Sequence, residues 1–449
     1  MTSTSRLPAP KPIARLLDLV PESSQRILGL DVDEARRRVL SGVPGSVAGI
    51  DGSFALVARD GDAIRMARSL DRPLRYFLAK EADGPMLVVA ERIDEIKACL
   101  EEEGYADQFH PSYTRMVPAH HVTTLRLVGC PDPNPVHRRF FDPPMASLPP
   151  DLDTVGERYV GTLLDTVDRW LGAQGDDEPI GVLFSGGIDS GAVLLAVYHR
   201  LLATGRSPAR LKAFTLSVDG GGADAQQARE FLRRLDLEML GETIDVPADA
   251  VDPLRAVEVI EDYKPLDVEC AAVGLALLEG IRERYPEWRL MADGDGGDEN
   301  LKDYPIEENP ELTIRSVVNN PMLYHEGWGV DAVKHSLIYS GGLSRGCVRT
   351  WAPSQRLGFE GFSPFTRPAL VRVAEGIPFA ELTQGDHGAL YDLKGEVVAR
   401  GFRRLLDVEM PVFPKRRFQD GAVPDAVREA RFGDAGHRYR RHFLECHGG

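Results

Sequence analysis

The stretch Gly181-Val-Leu-Phe-Ser-Gly-Gly-Ile-Asp-Ser190 decides the fold of the larger part of this chain. Its apolar segment ends at Phe184 and predicts a buried strand, the glycines predict a tight turn, and an apolar helix begins near Asp189. A turn between a strand and a helix N-terminus presents backbone N–H groups to an anion. Asp189, in the first helical turn, is placed to hold Mg²⁺ against phosphate oxygens. A Walker A loop is excluded because no G-x-x-x-x-G-K-[ST] occurs, and for this string alone a plain Gly-Gly turn with helix caps stays open.

The sequence after this stretch alternates between predicted strands and predicted helices. The strand PIGVLF precedes the helix IDSGAVLLAVYHRLLA, LKAFTLSV precedes AQQAREFLRRL, and AAVGLALLEGIRERY precedes the strand RLMA. The region from Pro310 to about His437 is predicted to be mostly helical. Strands separated by helices indicate a parallel sheet with helices on both faces, so the fold class is α/β.

The first 150 residues indicate a smaller, mostly β domain. Short alternating segments surround the dipeptides Asp51-Gly52 and Asp60-Gly61, as in hairpins. Seven prolines lie between Pro131 and Pro150, a composition that excludes a regular ladder or helix. We therefore predict a first domain over 1–150 with a linker at 131–150, and a second over 151–449. Thr154 and Glu157 have the spacing of a capping box and predict a helix after the linker.

Composition limits the class of protein. The chain has 449 residues, with 53 Lys+Arg against 69 Asp+Glu and a net charge of −16, which argues against nucleic-acid binding. Neither a signal peptide nor a long uncharged apolar run is visible, so we expect a soluble, cytoplasmic protein without membrane contact. The five cysteines are scattered without a C-x-x-C pair, which excludes a disulfide framework.

Ser185-Gly-Gly-Ile-Asp-Ser190 resembles the SGGxDS loop of the PP-loop ATP pyrophosphatases. This superfamily cleaves ATP between the α and β phosphates and includes asparagine, β-lactam, GMP and NAD synthetases and tRNA thiolases. The resemblance implies ATP and Mg²⁺ as cofactors. It also implies nucleotide binding by Leu183, Ser185, Gly186, Gly187, Asp189 and Ser190.

Two later segments are similar to the asparagine synthetase and β-lactam synthetase branch. Phe214-Thr-Leu-Ser-Val218 corresponds to the strand end that lines adenine, which assigns this role to Leu216, Ser217 and Val218. Asp293-Gly-Asp-Gly-Gly-Asp-Glu299 resembles SGxGxDE, with Asp293 in place of the usual serine. The resemblance places Gly294 near ATP and makes Asp298 the second magnesium carboxylate beside Asp189. The following Asn300-Leu-Lys-Asp-Tyr304 departs from the family's Leu-Phe-x-Gly-Tyr, which puts aspartate in doubt as the substrate.

The C-terminal part adds candidate catalytic residues. Gly358–Phe365 resembles GxExRxPF, with Glu360 at the glutamate and Phe362 where arginine is common. Pro414–Gly421 resembles K-x-x-F-x-D-G and places Lys415 at the active-site lysine, where a cation offsets charge on the phosphates. By analogy with β-lactam-type synthetases, Glu360 and Tyr339 are the candidate base for the attacking amine. Arg345 and Arg349 are one helical turn apart and are either ligand-binding residues or a surface pair.

The first domain resembles the later half of a class II (Ntn-type) glutaminase, in segments around Gly52–Asp60, Arg72–Tyr76, Glu91–Lys97 and Val117–Val122. A glutaminase of this class needs an N-terminal cysteine. Here Met1 is followed by Thr2, and no cysteine precedes Cys99, so we expect a truncated and inactive glutaminase.

These observations predict an ATP-dependent, AMP-forming amide ligase that joins a small carboxylate to an amine or ammonia. The alternatives are an ammonia-dependent asparagine synthetase, a subunit supplied with ammonia by a partner, and a nucleotide-binding scaffold without turnover. Thiolation of tRNA is disfavoured by the isolated cysteines and the acidic charge. The resembled family pairs into homodimers, which makes a homodimer the expected assembly, with a separate ammonia-supplying or carrier protein as a further candidate partner.

Overall fold

The computed structural model describes residues 9–129, 135–301, 347–414, 421–433 and 435–448. The chain divides into two compact units. Of the described residues, the first contains 9–129, 135–142 and 444–448, and the second contains 143–301, 347–414, 421–433 and 435–443. Within the described ranges, no helix combines the length and the apolar character that crossing a membrane requires.

The first unit is rich in β-structure. Its strands are β1 (Lys11–Pro12), β2 (Arg15–Asp18), β3 (Arg26–Leu28), β4 (Asp51–Ser53), β5 (Ala55–Asp60), β6 (Ala63–Arg68), β7 (Arg75–Ala79), β8 (Met86–Ala90), β9 (Arg115–Met116), β10 (His121–Leu125), β11 (Leu127–Val128) and β12 (Val136–Arg139). Its helices are α1 (Val32–Ser41), α2 (Pro44–Val47) and α3 (Ile93–Glu102).

Two four-stranded sheets form the core of this unit. Their strand orders are β12-β10-β6-β5 and β2-β8-β7-β9. Successive side chains of β5 point into two different apolar clusters. Val57 packs with residues of the second sheet, whereas Leu56 packs with residues of α1. Helix α3 packs on β7 and β8. The prediction of a smaller, mostly β domain is therefore confirmed, whereas its likeness to a glutaminase stays a prediction.

Two local predictions for this unit are wrong. Asp51-Gly52 is not a hairpin turn, because Asp51–Ser53 forms β4 and pairs with β3. The proline-rich stretch is not free of regular structure, since Val136–Arg139 forms β12 and pairs antiparallel with β10. β12 tolerates its proline neighbours because it lies at the edge of its sheet and contains no proline itself.

The second unit alternates helices and strands. Its strands are β13 (Ile180–Leu183), β14 (Leu211–Val218), β15 (Gly241–Val246), β16 (Leu290–Ala292) and β17 (Glu360–Phe362). Its helices are α4 (Leu152–Gly172), α5 (Ile188–Ala203), α6 (Ala223–Arg234), α7 (Pro253–Ile260), α8 (Pro265–Arg284), α9 (Gly297–Asn300), α10 (Ala352–Arg356), α11 (Pro368–Glu375), α12 (Phe379–Leu382), α13 (Leu390–Leu406), α14 (Asp425–Phe432) and α15 (Ala435–His447), the last residues of which belong to the first unit.

The five strands form one parallel sheet in the order β15-β14-β13-β16-β17, flanked by helices. The register aligns Ile180 of β13 with Leu211 of β14 on one side and with Leu290 of β16 on the other. The chain therefore leaves β13 toward one edge and later returns to its other side at β16. Such a reversal opens a crevice at the carboxyl ends of the two strands. The α/β prediction with a parallel sheet is confirmed.

Helices α4 and α13 pack closely at two glycines. A Cβ added to Gly156 would lie 2.7 Å from the carbonyl oxygen of Val397, and one added to Gly401 would lie 2.4 Å from that of Gly156. Arg400 of α13 forms an ion pair with Asp153 of α4 at 3.0 Å. Helix α4 is capped by Asp151, which accepts a hydrogen bond from the Thr154 N–H, so the cap lies three residues before the one that we predicted.

Candidate functional site

A cavity of about 220 Å³ opens at the carboxyl ends of β13 and β16. Its walls come from the two loops that follow these strands, from α8 and from α13. The lining residues are Leu183, Phe184, Ser185, Gly187, Ile188, Asp189, Ser190, Asp224, Gln227, Leu266, Cys270, Gly274, Leu277, Asp293, Gly294, Asp295, Gly296, Asp298, Glu299, Arg349, Thr350, Tyr391, Lys394 and Pro414. This is the switch point at which open α/β sheets bind ligands.

The loop after β13 has the geometry of an anion site. Gly186 adopts φ +75°, and a Cβ there would lie 2.8 Å from the backbone nitrogen of Ala228, so only glycine fits. The Ser190 hydroxyl accepts a hydrogen bond from the Ser185 N–H at 3.3 Å and thereby ties the turn to the helix. The sixteen-residue helix α5 begins directly after the turn, so the positive end of its dipole is at the cavity.

The loop after β16 is packed against the loop after β13. A Cβ on Gly294 would lie 2.9 Å from the Ser190 nitrogen, and one on Gly297 would lie 2.2 Å from Oδ1 of Asp189. Glycine at both positions lets the two backbones approach. Oδ1 of Asp293 accepts hydrogen bonds from the Asp295 N–H at 3.0 Å and from the Ser363 hydroxyl at 2.7 Å, which stabilises the turn. Asp293, the residue that departs from the family's serine, therefore supports the loop.

One ammonium group joins the two loops. Nζ of Lys394 lies 2.6 Å from Oδ2 of Asp189 and 2.5 Å from Oδ1 of Asp298. The lysine side chain is 2% exposed, and those of Asp189 and Asp298 are 22% and 31% exposed. Two carboxylates from separate strand ends thus share one cation at the cavity wall.

The cavity wall also carries a second group of charges. Asp295 accepts a hydrogen bond from the hydroxyl of Thr350, and Nε of Arg349 lies 3.7 Å from Oδ1 of Asp267. Burial raises the pKa of Asp295, and the Arg349 charge and the Thr350 hydrogen bond oppose this rise only in part. Leu266, Cys270, Gly274 and Leu277 form an α8 wall of the same cavity. The cavity therefore combines a loop suited to phosphates with charged groups suited to a small polar ligand.

The structure brings together seven of the residues that the sequence predicted: Leu183, Ser185, Gly187, Asp189, Ser190, Gly294 and Asp298 all line the cavity. Gly186 is part of the same turn but is not among the lining residues. Leu216, Ser217 and Val218 are at the buried end of β14 and are not among the lining residues, and the Ser217 hydroxyl donates to Asp245 at 2.6 Å. Lys415, Tyr339 and Arg345 lie outside the described residues.

The structure does not place Glu360 among the residues that line the cavity. Glu360 is the first residue of β17, and its N–H donates to the carbonyl of Arg289, which precedes β16. Its carboxylate lies 3.5 Å from the Arg289 guanidinium, which also pairs with Glu178 ahead of β13. These contacts put Glu360 at the amino ends of the parallel strands, whereas the cavity is at their carboxyl ends.

Sequence reasoning missed Lys394, although a signal was present. Helix α13 has a buried stripe at helical spacing, formed by Leu390, Leu393, Lys394, Val397, Val398 and Phe402. A lysine within an apolar stripe must find an anion, because an unpaired buried ammonium is costly. Asp295 and Thr350 were also missed, since a buried carboxyl in an acidic loop has no distinguishing sequence pattern.

Comparison with known families agrees with this geometry. Residues 161–338 match the family model of asparagine synthase. No curated protein matches the chain. The matched segment contains the phosphate loop, both strand-end carboxylates and the α8 wall of the cavity. The chain therefore carries, in residues 161–338, a domain of the asparagine synthase family, a family of ATP-dependent carbon–nitrogen ligases.

Proposed function

We propose that this protein is an AMP-forming amide ligase. A carboxylate oxygen of one substrate attacks the α-phosphorus of ATP, and the bond to the β-phosphate oxygen breaks with release of pyrophosphate. The nitrogen of an amine or ammonia then attacks the acyl carbon, AMP leaves, and the nitrogen loses a proton. The observation that carries this proposal is the junction at the cavity wall, where the phosphate loop and the Asp298 loop share one cation.

Magnesium fits the donors of this junction. Mg²⁺ prefers carboxylate oxygens, and Asp189 and Asp298 already hold a cation between them. When bound, the metal would neutralise charge on the phosphate oxygens. The Ser185–Ser190 loop and the α5 N-terminus would bind the pyrophosphate portion through backbone N–H groups. We keep Lys415 as a proposed second cation and Tyr339 as a proposed hydrogen-bonding partner of the amine, and we assign no role in the reaction to Glu360.

We propose that the acid is not aspartate. The family's sequence after the Asp298-Glu299 pair is replaced here from Asn300 onward. The side chain of Asn300 is buried and donates a hydrogen bond to the carbonyl of Phe365 at 3.0 Å, so we assign it a role in the fold. Arg349 and Asp295, which also line the cavity, offer one cation and one carboxyl to the acceptor.

We propose that glutamine is not the nitrogen donor. The first cysteine of the sequence, Cys99, lies inside α3, where its backbone nitrogen is part of the helix and provides no free amine beside the thiol. Ammonia or an amine on a substrate is then the nucleophile. Glutamate release from glutamine by the purified chain would contradict this part of the proposal.

The test is pyrophosphate release by the full chain with Mg·ATP and a panel of carboxylic acids, each with ammonium or with a panel of amines. AMP formation that depends on one acid and one amine is the expected result, and Asp298→Asn is the inactive control. Asparagine formation from aspartate and ammonium would support the asparagine synthetase alternative. Tight ATP binding without AMP formation under every condition would support the scaffold.

A further inference from the structure

Lys394 has an unusual position for a residue that faces a metal site. Its ammonium lies between the two carboxylates that the proposed function assigns to magnesium, within 2.6 Å of one and 2.5 Å of the other. The backbone of α13 is held against α4 by the Gly156–Gly401 contact, about two turns from Lys394 along α13. The Lys394 stem is flexible, so the ammonium can move while the helix stays fixed.

The Lys394 ammonium lies between the two carboxylates when no nucleotide is bound. Asp189 and Asp298 contribute two negative charges, and Lys394 already neutralises one of them at hydrogen-bond distance. A divalent ion that binds the same oxygens would lie next to a buried ammonium and would be repelled by it. A bound triphosphate adds several negative charges and removes this conflict, because both cations then have anionic partners.

On the basis of the proposed function, we infer that Lys394 is an internal counter-ion that occupies the metal position in the nucleotide-free protein. It keeps the two loops together in the absence of metal, and it makes divalent-metal binding depend on the nucleotide. When Mg·ATP enters, the ammonium leaves the carboxylates and pairs with phosphate oxygens. Lys394 thus acts as a positioning residue for the empty site and as a phosphate ligand in the loaded one.

The test measures binding of Mn²⁺ alone to the full chain, without nucleotide, by the loss of the free-ion electron paramagnetic resonance signal. We expect weak binding by the parent and binding tighter by about tenfold or more for Lys394→Met, because the competing charge is gone. The double variant Lys394→Met/Asp298→Asn is expected to return to weak binding, which locates the ion. Lys212→Met is the matched control, since Lys212 also pairs with a carboxylate, Glu242 at 2.5 Å, but does not line the cavity.

Two further measurements keep the inference falsifiable if Lys394→Met does not fold. Lys394→Arg retains the charge and is expected to bind Mn²⁺ as weakly as the parent, so tight binding by Lys394→Arg would overturn the inference. Tight Mn²⁺ binding by the parent without nucleotide would overturn it as well. Equal Mn²⁺ affinity of a folded Lys394→Met and the parent would refute the counter-ion role while leaving the ligase proposal intact. Failure of the parent to bind any ATP analogue would instead refute the ligase proposal.

Discussion

Asp298 and Asp189 belong to different strand-end loops, yet both reach the same ammonium. We expect Asp298→Asn to lower the rate of pyrophosphate release by about 100-fold or more, because an amide cannot replace a carboxylate as a magnesium ligand at the phosphates. The rate is measured at saturating acid and amine. The exposed Asp249→Asn serves as the control and is expected to match the parent. A folded Asp298→Asn variant with parental activity would contradict the site.

Asp295 gives a prediction about pH. Burial raises its pKa above the ordinary value of 3.8, so the folded protein retains a proton that the unfolded chain has lost. The free energy of unfolding of the parent therefore falls as pH rises through this interval. Asp295→Asn cannot ionise and can still accept the Thr350 hydrogen bond, so we expect it to gain stability relative to the parent as the pH rises above about 4. Urea unfolding of both proteins measures this, and a constant difference across that range would disagree with it.

The predicted residues that line the cavity are those whose place is fixed by local backbone geometry. The Ser-Gly-Gly turn follows directly from a strand and precedes a helix, so Ser185 and Asp189 could be placed without knowledge of distant contacts. Lys394 and Glu360 depend on tertiary placement. Lys394 lies at the site because α13 packs beside the cavity. Glu360 lies away from the cavity because it is the first residue of β17, whereas the cavity is at the carboxyl ends of the strands.

Helices α4 and α13 make a contact that a single methyl group would disturb. We expect Gly156→Ala to lower the free energy of unfolding by about 1–3 kcal/mol, because the added Cβ would lie 2.7 Å from a backbone oxygen of α13. Gly161→Ala on the same helix is the control. Its Cβ would meet only Leu405 Cδ1 at 3.6 Å, so we expect a neutral or stabilising effect of about 0.5–1 kcal/mol. Equal stabilities of the two variants in urea unfolding would contradict this account.

At the scale of elements, strands and helices with a strong apolar pattern were predicted well. The predicted LKAFTLSV is β14, and the predicted IDSGAVLLAVYHRLLA is α5. β4 and β12 were missed because pairing with a partner strand, and not local propensity, determines them. An Asp-Gly dipeptide and a cluster of prolines favour turns locally, but an edge position with a suitable partner outweighs that preference.

For the whole molecule, the nucleotide should stabilise the second unit. Trp170, Trp288 and Trp351 belong to this unit, so their fluorescence reports its unfolding. We expect Mg·ATP at about 100 times its Kd to add about 2.7 kcal/mol to the free energy of unfolding that fluorescence reports. Mg·GTP at the same concentration is the comparison for nucleotide preference. The absence of any shift with Mg·ATP would show that the folded protein does not bind it.

At this scale the sequence predicted the alternation that defines a parallel sheet, but not the position of the boundary between the units. The second unit begins at Pro143, several residues before the predicted change near residue 150. The difference arises because β12 pairs with β10 and so keeps the first part of the proline-rich stretch in the first unit. Long-range pairing of this kind is not encoded in local composition.

The distance along the chain between Lys394 and its partners affects the order in which the protein is built. Lys394 follows Asp189 by 205 residues and Asp298 by 96. On the ribosome, the sheet and both acidic loops emerge well before the helix that delivers the ammonium. A nascent chain at that stage lacks the Lys394 ammonium between the two loops and leaves the glycine face of α4 uncovered. The nucleotide pocket can therefore mature only after α13 has been synthesised.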